Sequence, residues 1–311
     1  MDWNFDGELD LLSGCYWTQG KDGGHIQILE GAGKDEESGW PDFEKATALL
    51  SGADKPLENV EIGKESGSNG MDDNQTKNIC TEQHAVDYDG DGDLDLVVGC
   101  FANSFFLYEN EGSEKENKLV EKPVELDLTM PDYHAAPHLA DFDGDGDLDF
   151  LTGSASGGVY ISINDGTREE PKYGEFKTLV EKPASPYEAQ RPDSISMGAG
   201  TRIWVTDFNR DGLMDLLVGD SVTLSEPAEG LSNEEFSKLK AEHKKKMARM
   251  MARMTELENS GREMDPKVQR KFFDQFSKFM QSSSKFEKEE RTGHVWVLLQ
   301  KPKTENDVTQ K

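Results

Sequence analysis

Long apolar runs are missing from this 311-residue chain, and no stretch approaches the roughly 18 consecutive apolar residues that a membrane-spanning helix needs. Positive charge is scarce as well: 34 Lys and Arg face 62 Asp and Glu, a formal charge of −28. A polyanion repels nucleic acid and anionic membrane, so neither is expected as a partner. Cysteines number three (Cys15, Cys80 and Cys100), too few for a disulfide framework, and an odd count leaves one thiol unpaired if all are kept. Met1 leads straight into DWNFDGELD with no charged-then-apolar leader. Apolar residues make up only 34%, yet 30 glycines and short strand-like runs punctuate the first two thirds. That patterning excludes a helical bundle and a wholly disordered chain.

What the chain does have is repetition. Four segments align: DWNFDGELDLLSG at 2–14, DYDGDGDLDLVVG at 87–99, DFDGDGDLDFLTG at 141–153 and DFNRDGLMDLLVG at 207–219. Where chain precedes them, they follow a short extended run (EQHAV, APHLA, RIWVT), and each ends in an apolar run closed by Gly. A further strand then recurs as GHIQILEGAG, SFFLYENEG, GVYISINDG and GHVWVLLQK, and three copies add FEKATAL, VELDL or FKTLV. A unit of strand, acidic loop and three more strands has the size of a propeller blade. The predicted fold is therefore all-β: propeller blades over 1–229, a helical hairpin inserted at 230–292, and a return strand of the last blade with a tail at 293–311. The first unit lacks its leading strand and the last its fourth. On that reading the chain is the C-terminal half of a longer protein whose signal peptide and earlier blades precede it.

The loops carry the chemistry. Asp87, Asp89, Asp91, Asp93 and Asp95 place five carboxylates in nine residues, which repel one another without a cation. Gly92, at the sixth position, permits the turn that folds such a loop around an ion. Oxygen donors at positions one, three, five and nine, with the carbonyl of position seven, suit Ca²⁺ at about 2.3–2.6 Å. The other loops offer Asp2, Asn4, Asp6 and Asp10; Asp141, Asp143, Asp145 and Asp149; and Asp207, Asn209, Asp211 and Asp215. The carbonyl donors would be Glu8, Asp93, Asp147 and Leu213. About four Ca²⁺ sites are expected. An EF-hand is excluded, because position twelve is Ser13, Val98, Thr152 or Val218 rather than Glu, and strands flank the loop. The loops hold 17 of the 62 acidic residues, and four ions would bring −28 to −20. The remaining excess suits a calcium-rich extracellular, periplasmic or cell-surface setting.

The motif D-x-[DN]-x-D-G-x-x-D-[LF]-[LV], set between strands and repeated per blade, resembles the FG-GAP/VCBS repeats of the integrin alpha-chain propeller and of many bacterial surface or secreted proteins. The resemblance covers nearly all of 1–229 and resumes at 293–302. It implies blades of a seven- or eight-bladed propeller, calcium in the hairpin loops on one face, and an innermost strand before each loop.

Residues 230–292 differ in character. Ser232 and Glu235 form a capping box, and Phe236, Leu239, His243, Met247, Met250, Met254 and Leu257 follow at heptad-like spacing. Gly261 ends this helix, Asp265-Pro266 starts another, and Val268, Phe272, Phe276, Phe279 and Met280 give it an apolar face. Two helices packing on each other are expected, with a Met-rich docking arm as the sharper alternative.

Two histidines, His84 and His138, precede their loops by three residues and so occupy equivalent places on neighbouring inner strands. They are read as ordinary strand residues, with a shared channel-facing site as the alternative. Tyr16, Trp17 and Phe101 fall on the face opposite the loops, where aromatics pack or stack on sugar rings. No nucleophile–base pair stands apart from the loops. The leading function is thus non-catalytic recognition or adhesion toward a protein or carbohydrate ligand. The alternatives are the propeller part of a secreted polysaccharide lyase, which should pair Arg202 or His138 with an exposed aromatic such as Trp17, and a pure scaffold.

Overall fold

The computed structural model describes residues 1–14, 16, 25–59, 76–113, 116–259 and 266–302. Cys15, Trp17, Gly261 and Asp265, singled out above, lie outside them. The chain divides into two compact units, residues 1–186, 197–221 and 293–311 in one and residues 187–196 and 222–292 in the other.

The first unit is built from successive antiparallel sheets. The first comprises β1 (Leu11–Ser13), β2 (Gln27–Leu29) and, beyond a small hairpin of β3 (Gly31–Lys34) and β4 (Pro41–Phe43), β5 (Thr47–Ala48). The second runs β6 (Glu82–Val86), β7 (Asp95–Gly99), β8 (Phe105–Tyr108) and β9 (Val124–Glu125). The third repeats that order with β10 (Ala136–Ala140), β11 (Asp149–Gly153), β12 (Val159–Ser162) and β13 (Lys177–Val180). In the fourth, β14 (Ala199–Thr206) pairs with β15 (Asp215–Pro227), and β15 pairs over Leu216–Gly219 with the return strand β17 (Val295–Leu298). These are propeller blades, and among the described residues the first lacks a leading strand and the last a fourth. The reason is local: a two-residue side-chain period buries both faces of a strand when a blade packs on each side.

Alternation sets the packing. Leu96, Val98, Phe106 and Tyr108 join Trp3, Ile26 and Ile28 between the first and second blades. Their neighbours in sequence, Val97, Phe105 and Leu107, turn the other way and pack with Leu139, Phe150 and Tyr160. Leu151, Val159 and Ile161 then meet Val205, Leu216 and Val218, with Trp296 and Leu298 alongside.

The glycine that closes each repeat fixes how near consecutive blades stand. A Cβ on Gly14 would lie 1.7 Å from Thr81 O, on Gly99 2.1 Å from Ala135 O, and on Gly153 2.2 Å from Thr201 O. The following blade's entry strand therefore runs through the space a side chain would fill. A left-handed residue, Cys80, His134 or Gly200, with φ of 51°, 60° and 64°, stands two positions before Glu82, Ala136 and Arg202 in those strands. In the fourth blade the equivalent Gly219 meets nothing nearer than Arg202 O at 3.8 Å. Trp204 and Val295, whose counterparts His138 and Val159 are buried, are 60% and 68% exposed there.

In the second unit, β16 (Glu287–Thr292) pairs with the Val222–Pro227 half of β15. Helix α1 spans Asn233–Asn259 and α2 spans Pro266–Gln281, followed by a 3₁₀ turn over Ser282–Lys285. The capping box forms as expected: Glu235 N–H donates to Ser232 Oγ at 3.3 Å, and Ser232 N–H donates to Glu235 Oε2 at 3.0 Å. Among the described side chains the seam differs at one position. Leu239 is exposed, and Lys240 takes the inner place, with Nζ 2.6 Å from Glu287 Oε1 and 5.5 Å from the Phe236 ring centre. His243 stacks on Phe279 with ring centres 4.1 Å apart, joining the two helices. No helix among the described residues is long and apolar enough to cross a membrane.

Glycine at a blade junction and glycine at the open blade should respond differently to one methyl group. Gly153→Ala is expected to lower the first unit's stability by about 4 kcal/mol or more, because backbone must move, and Gly219→Ala by less than about 1 kcal/mol. Urea unfolding of the two variants checks this; equal losses would contradict the junction role.

Candidate metal-binding loops and the opposite strand ends

All four loops fold alike. The glycine at position six is left-handed in each: Gly7 at 97°, Gly92 at 102°, Gly146 at 101° and Gly212 at 90°. Position four is left-handed too, at Phe5, Gly90, Gly144 and Arg210, a requirement the sequence hid because two of the four residues are not glycine. Asn, Asp and Gly tolerate this region; Phe5 and Arg210 adopt it at some cost.

Backbone hydrogen bonds hold the loops in shape. The position-one carboxylates accept from loop amides: Asp2 from Gly7 N–H at 2.9 Å, Asp87 from Gly90 at 2.8 Å, Asp141 from Gly146 at 3.1 Å and Asp207 from Gly212 at 3.0 Å. The position-nine aspartates, assigned from sequence only as oxygen donors for an ion, do more. One oxygen accepts from the amide at position two (Trp3, Tyr88, Phe142 or Phe208) at 2.7–3.1 Å. The other accepts from the residue leaving the blade's third strand: Gly31, Asn110, Asn164 or Gln300, at 2.8–3.0 Å. Asp10, Asp95, Asp149 and Asp215 are accordingly buried. Each staples its loop to the blade.

The remaining oxygens converge. Carboxylate oxygens of Asp87, Asp89 and Asp95 lie within 4.8 Å of one another, as do those of Asp141, Asp143 and Asp145. Asp91 and Asp149 fall outside those tightest groups. In the first and fourth loops Asn4 and Asn209 take the third position, and their Oδ1 atoms accept from Asp6 N–H at 3.0 Å and Asp211 N–H at 2.9 Å. At position seven, Asp93 Oδ1 and Asp147 Oδ1 are buried and accept no hydrogen bond. Glu8 and Leu213 occupy that position in the other two loops. Burial, followed by the charges of Asp91 and Asp89, pushes the Asp93 carboxyl up to about 6. Burial likewise raises Asp95 to about 6 against the pull of the Asn110 and Tyr88 amides, and raises Asp147 and Asp149. Orphaned buried carboxylate oxygens beside several others are a donor set suited to a hard cation. One counter-charge escaped the sequence reading: Arg168 Nη2 lies 3.4 Å from Asp87 Oδ2.

Equivalent positions along the entry strands line up across blades. His84, His138 and Trp204 face Val97, Leu151 and Leu217 in their own blades and form a ladder of rings. Ring centres stand 4.2 Å apart for His84–His138 and 5.0 Å for His138–Trp204. Val205 N–H donates to His138 Nε2 at 3.2 Å, so the neutral ring carries its proton on Nδ1. His84 Nε2–H donates to Leu139 O at 3.3 Å. Two residues nearer the strand starts, Glu82 and Arg202 form an ion pair, with His134 Nε2 3.7 Å from Glu82 Oε1 and 3.3 Å from Arg202 Nη2. Burial alone would raise the Glu82 carboxyl; His134 and the Arg202 guanidinium outweigh it and hold it below its ordinary value. Phe101 packs on Tyr133, ring centres 5.7 Å apart. Of the residues considered for an enzyme, His138 is buried, Arg202 lines a cleft, and Trp17 lies outside the described residues.

Repeated four-stranded antiparallel sheets with an acidic loop between the first and second strands define the blades of a β-propeller. The FG-GAP-like repeat family matches residues 87–152 and 141–218, the second and third blades and the start of the fourth. Residues 87–218 are thus FG-GAP-like repeats set in propeller blades. Among solved structures, 72% of the chain aligns with 8% of one chain of a Photorhabdus luminescens Tc holotoxin pore bearing the TccC3-D651A mutation, at 14% identity and a TM-score of 0.32. No curated protein matches the chain.

The ladder makes an acid-sensitivity prediction. Burial drives His84 down from 6.5 to about 4, and burial with the His84 charge drives His138 down to about 3. Unfolding releases both rings to bind protons near 6.5, so their contribution is complete above that value and falls as pH drops from 6.5 toward 4. His138→Phe is expected to flatten this acid limb relative to wild type in melting curves recorded between pH 7.5 and pH 4.5, whatever its effect at neutral pH. An unchanged limb would place the acid sensitivity elsewhere.

Proposed function

We propose that each of the four loops binds one Ca²⁺ and that the calcium-braced blades form a non-catalytic recognition or adhesion surface, outside the cell or at its surface, for a protein or carbohydrate ligand. One observation carries the reading. The same nine-residue geometry, with left-handed turns at positions four and six and a stapling aspartate at position nine, is built four times from different sequences. Such geometry leaves like charges facing one another, and a divalent ion offsets their repulsion where no protein cation does. The ligands would be the side chains at positions one, three, five and nine with the carbonyl at seven. Mg²⁺ fits less well, since it retains its waters and favours fewer protein donors.

A calcium-rich compartment matches this use, because loops that depend on an ion for charge balance gain stability with the logarithm of the free ion concentration once it exceeds the dissociation constant. The residual negative charge keeps the blades soluble and directs ligand recognition toward neutral or basic chemistry.

Calorimetric titration of the chain should give close to four Ca²⁺ per molecule, and Asp89→Ala should reduce the number to near three. Melting in calcium should exceed melting in chelator by several degrees, an ion at about a thousand times its dissociation constant adding about 4 kcal/mol. Absence of calcium binding by the folded chain would overturn the reading.

A further inference from the structure

The strand ends opposite the acidic loops gather a second cluster of polar side chains. Glu82, Ala136 and Arg202 hold one register position, each paired with its own blade's junction glycine: Gly99, Gly153 and Gly219. Ala136 has nothing beyond its Cβ, so the long Arg202 side chain passes over the third blade and reaches Glu82 on the second. His134 stands beside both. Together they border a cleft of about 460 Å³ whose walls also include Gln83 and Tyr16.

Two observations distinguish this cleft from a brace between blades. Gln83 Oε1 is buried and accepts no hydrogen bond, which leaves a built acceptor awaiting a donor. Tyr16 is 77% exposed, an aromatic face held in water at the rim. The Glu82 and Arg202 side chains keep 34% and 37% of their surface accessible, so the pair still has donors and acceptors to offer.

Charge then selects the ligand. An anion meets the Glu82 carboxylate and a chain of net charge −28; a cation meets Arg202. A guanidinium beside a carboxylate suits neutral neighbouring hydroxyls, each of which accepts from one and donates to the other. An exposed aromatic ring suits the C–H face of a sugar.

We propose that this cleft binds a neutral sugar residue, its adjacent hydroxyls on Arg202, Glu82 and Gln83 Oε1 and its apolar face on Tyr16. The assignment rests on the recognition reading above and narrows its ligand to a neutral glycan, but it does not require the loops to bind calcium.

The test is calorimetry of the full chain, in excess calcium, against oligosaccharides of dextran, mannan, galactan and xylan, with oligogalacturonate as the anionic comparison. At least one neutral glycan should bind, and both Arg202→Met and Tyr16→Ala should weaken it tenfold or more while the Ca²⁺ stoichiometry stays that of wild type. Tyr16→Ala alters an exposed side chain, so its loss of binding reports on the site even if Arg202→Met disturbs the strand ends. No binding to any neutral glycan, binding to oligogalacturonate alone, or neutral-glycan binding indifferent to both variants would overturn the proposal. Glycan binding without calcium binding would overturn only the calcium assignment.

Discussion

The close approach of one blade's entry strand to the glycine of the blade before it is the constraint on which the other features rest. A main-chain carbonyl sits about 2 Å from where a Cβ would be at Gly99 and Gly153, so these junctions admit no side chain. That spacing places residues of equal register on successive strands within side-chain reach. The ring ladder of His84, His138 and Trp204 and the ion pair between Glu82 and Arg202 both follow from it. A wider separation would leave each of these groups facing solvent alone. Apolar packing between the blades supplies the stabilisation, with each fully buried Phe or Leu contributing about 1.5–3 kcal/mol. The glycines decide where that packing occurs.

The acidic loops depend on the same frame through position nine. Asp95 and its counterparts reach back to the loop and forward to the end of the third strand, so the loop's path is set by the strand pairing beneath it. The shape is therefore largely a product of backbone hydrogen bonds. What those bonds leave unresolved is charge: Asp87, Asp89 and Asp95 in one loop and Asp141, Asp143 and Asp145 in the next remain close, and Asp93 and Asp147 bury oxygens with no donor. With geometry set by the backbone, the proposed cation would have only charge to balance, which fits a motif that carries Asn at position three and Leu or Glu at position seven in some copies but Asp at one, five and nine in all four.

The blades were legible because two signals coincide, a period-two apolar pattern and a motif repeated four times. The strand order follows from that alignment, as do the first strand lacking in the opening blade and the fourth lacking in the last among the described residues. The place of the acidic loops between strands was legible for the same reason. The left-handed residue at position four was not, since Phe5 and Arg210 carry no turn signature. Nor was the stapling by Asp10, Asp95, Asp149 and Asp215, because its partners Gly31, Asn110, Asn164 and Gln300 lie far along the chain and two of them carry no signal beyond backbone. The Glu82–Arg202 pair joins residues 120 apart, and what permits it is the small size of Ala136, an absence that no single-sequence pattern marks. The helical seam failed at Leu239 for an energetic reason. Heptad spacing ranks residues by hydropathy, whereas Lys240 can bury its methylene stem and satisfy its ammonium on Glu287.

The fourth blade shows that burial is a property of neighbours rather than of strand sequence. Val295, Trp296, Val297 and Leu298 alternate as Phe105, Phe106, Leu107 and Tyr108 do. Trp296 and Leu298 pack toward the third blade, while Val295 and Val297 stay exposed. Trp204 ends the ring ladder 60% exposed, and position 219 keeps a glycine where the nearest carbonyl stands 3.8 Å from a Cβ. Reading burial from the alternation alone would place all of these residues in a core. The same pattern is buried or bare according to whether an entry strand passes over it, which is why the junction glycine has a large effect on the fold at three positions and little at the fourth.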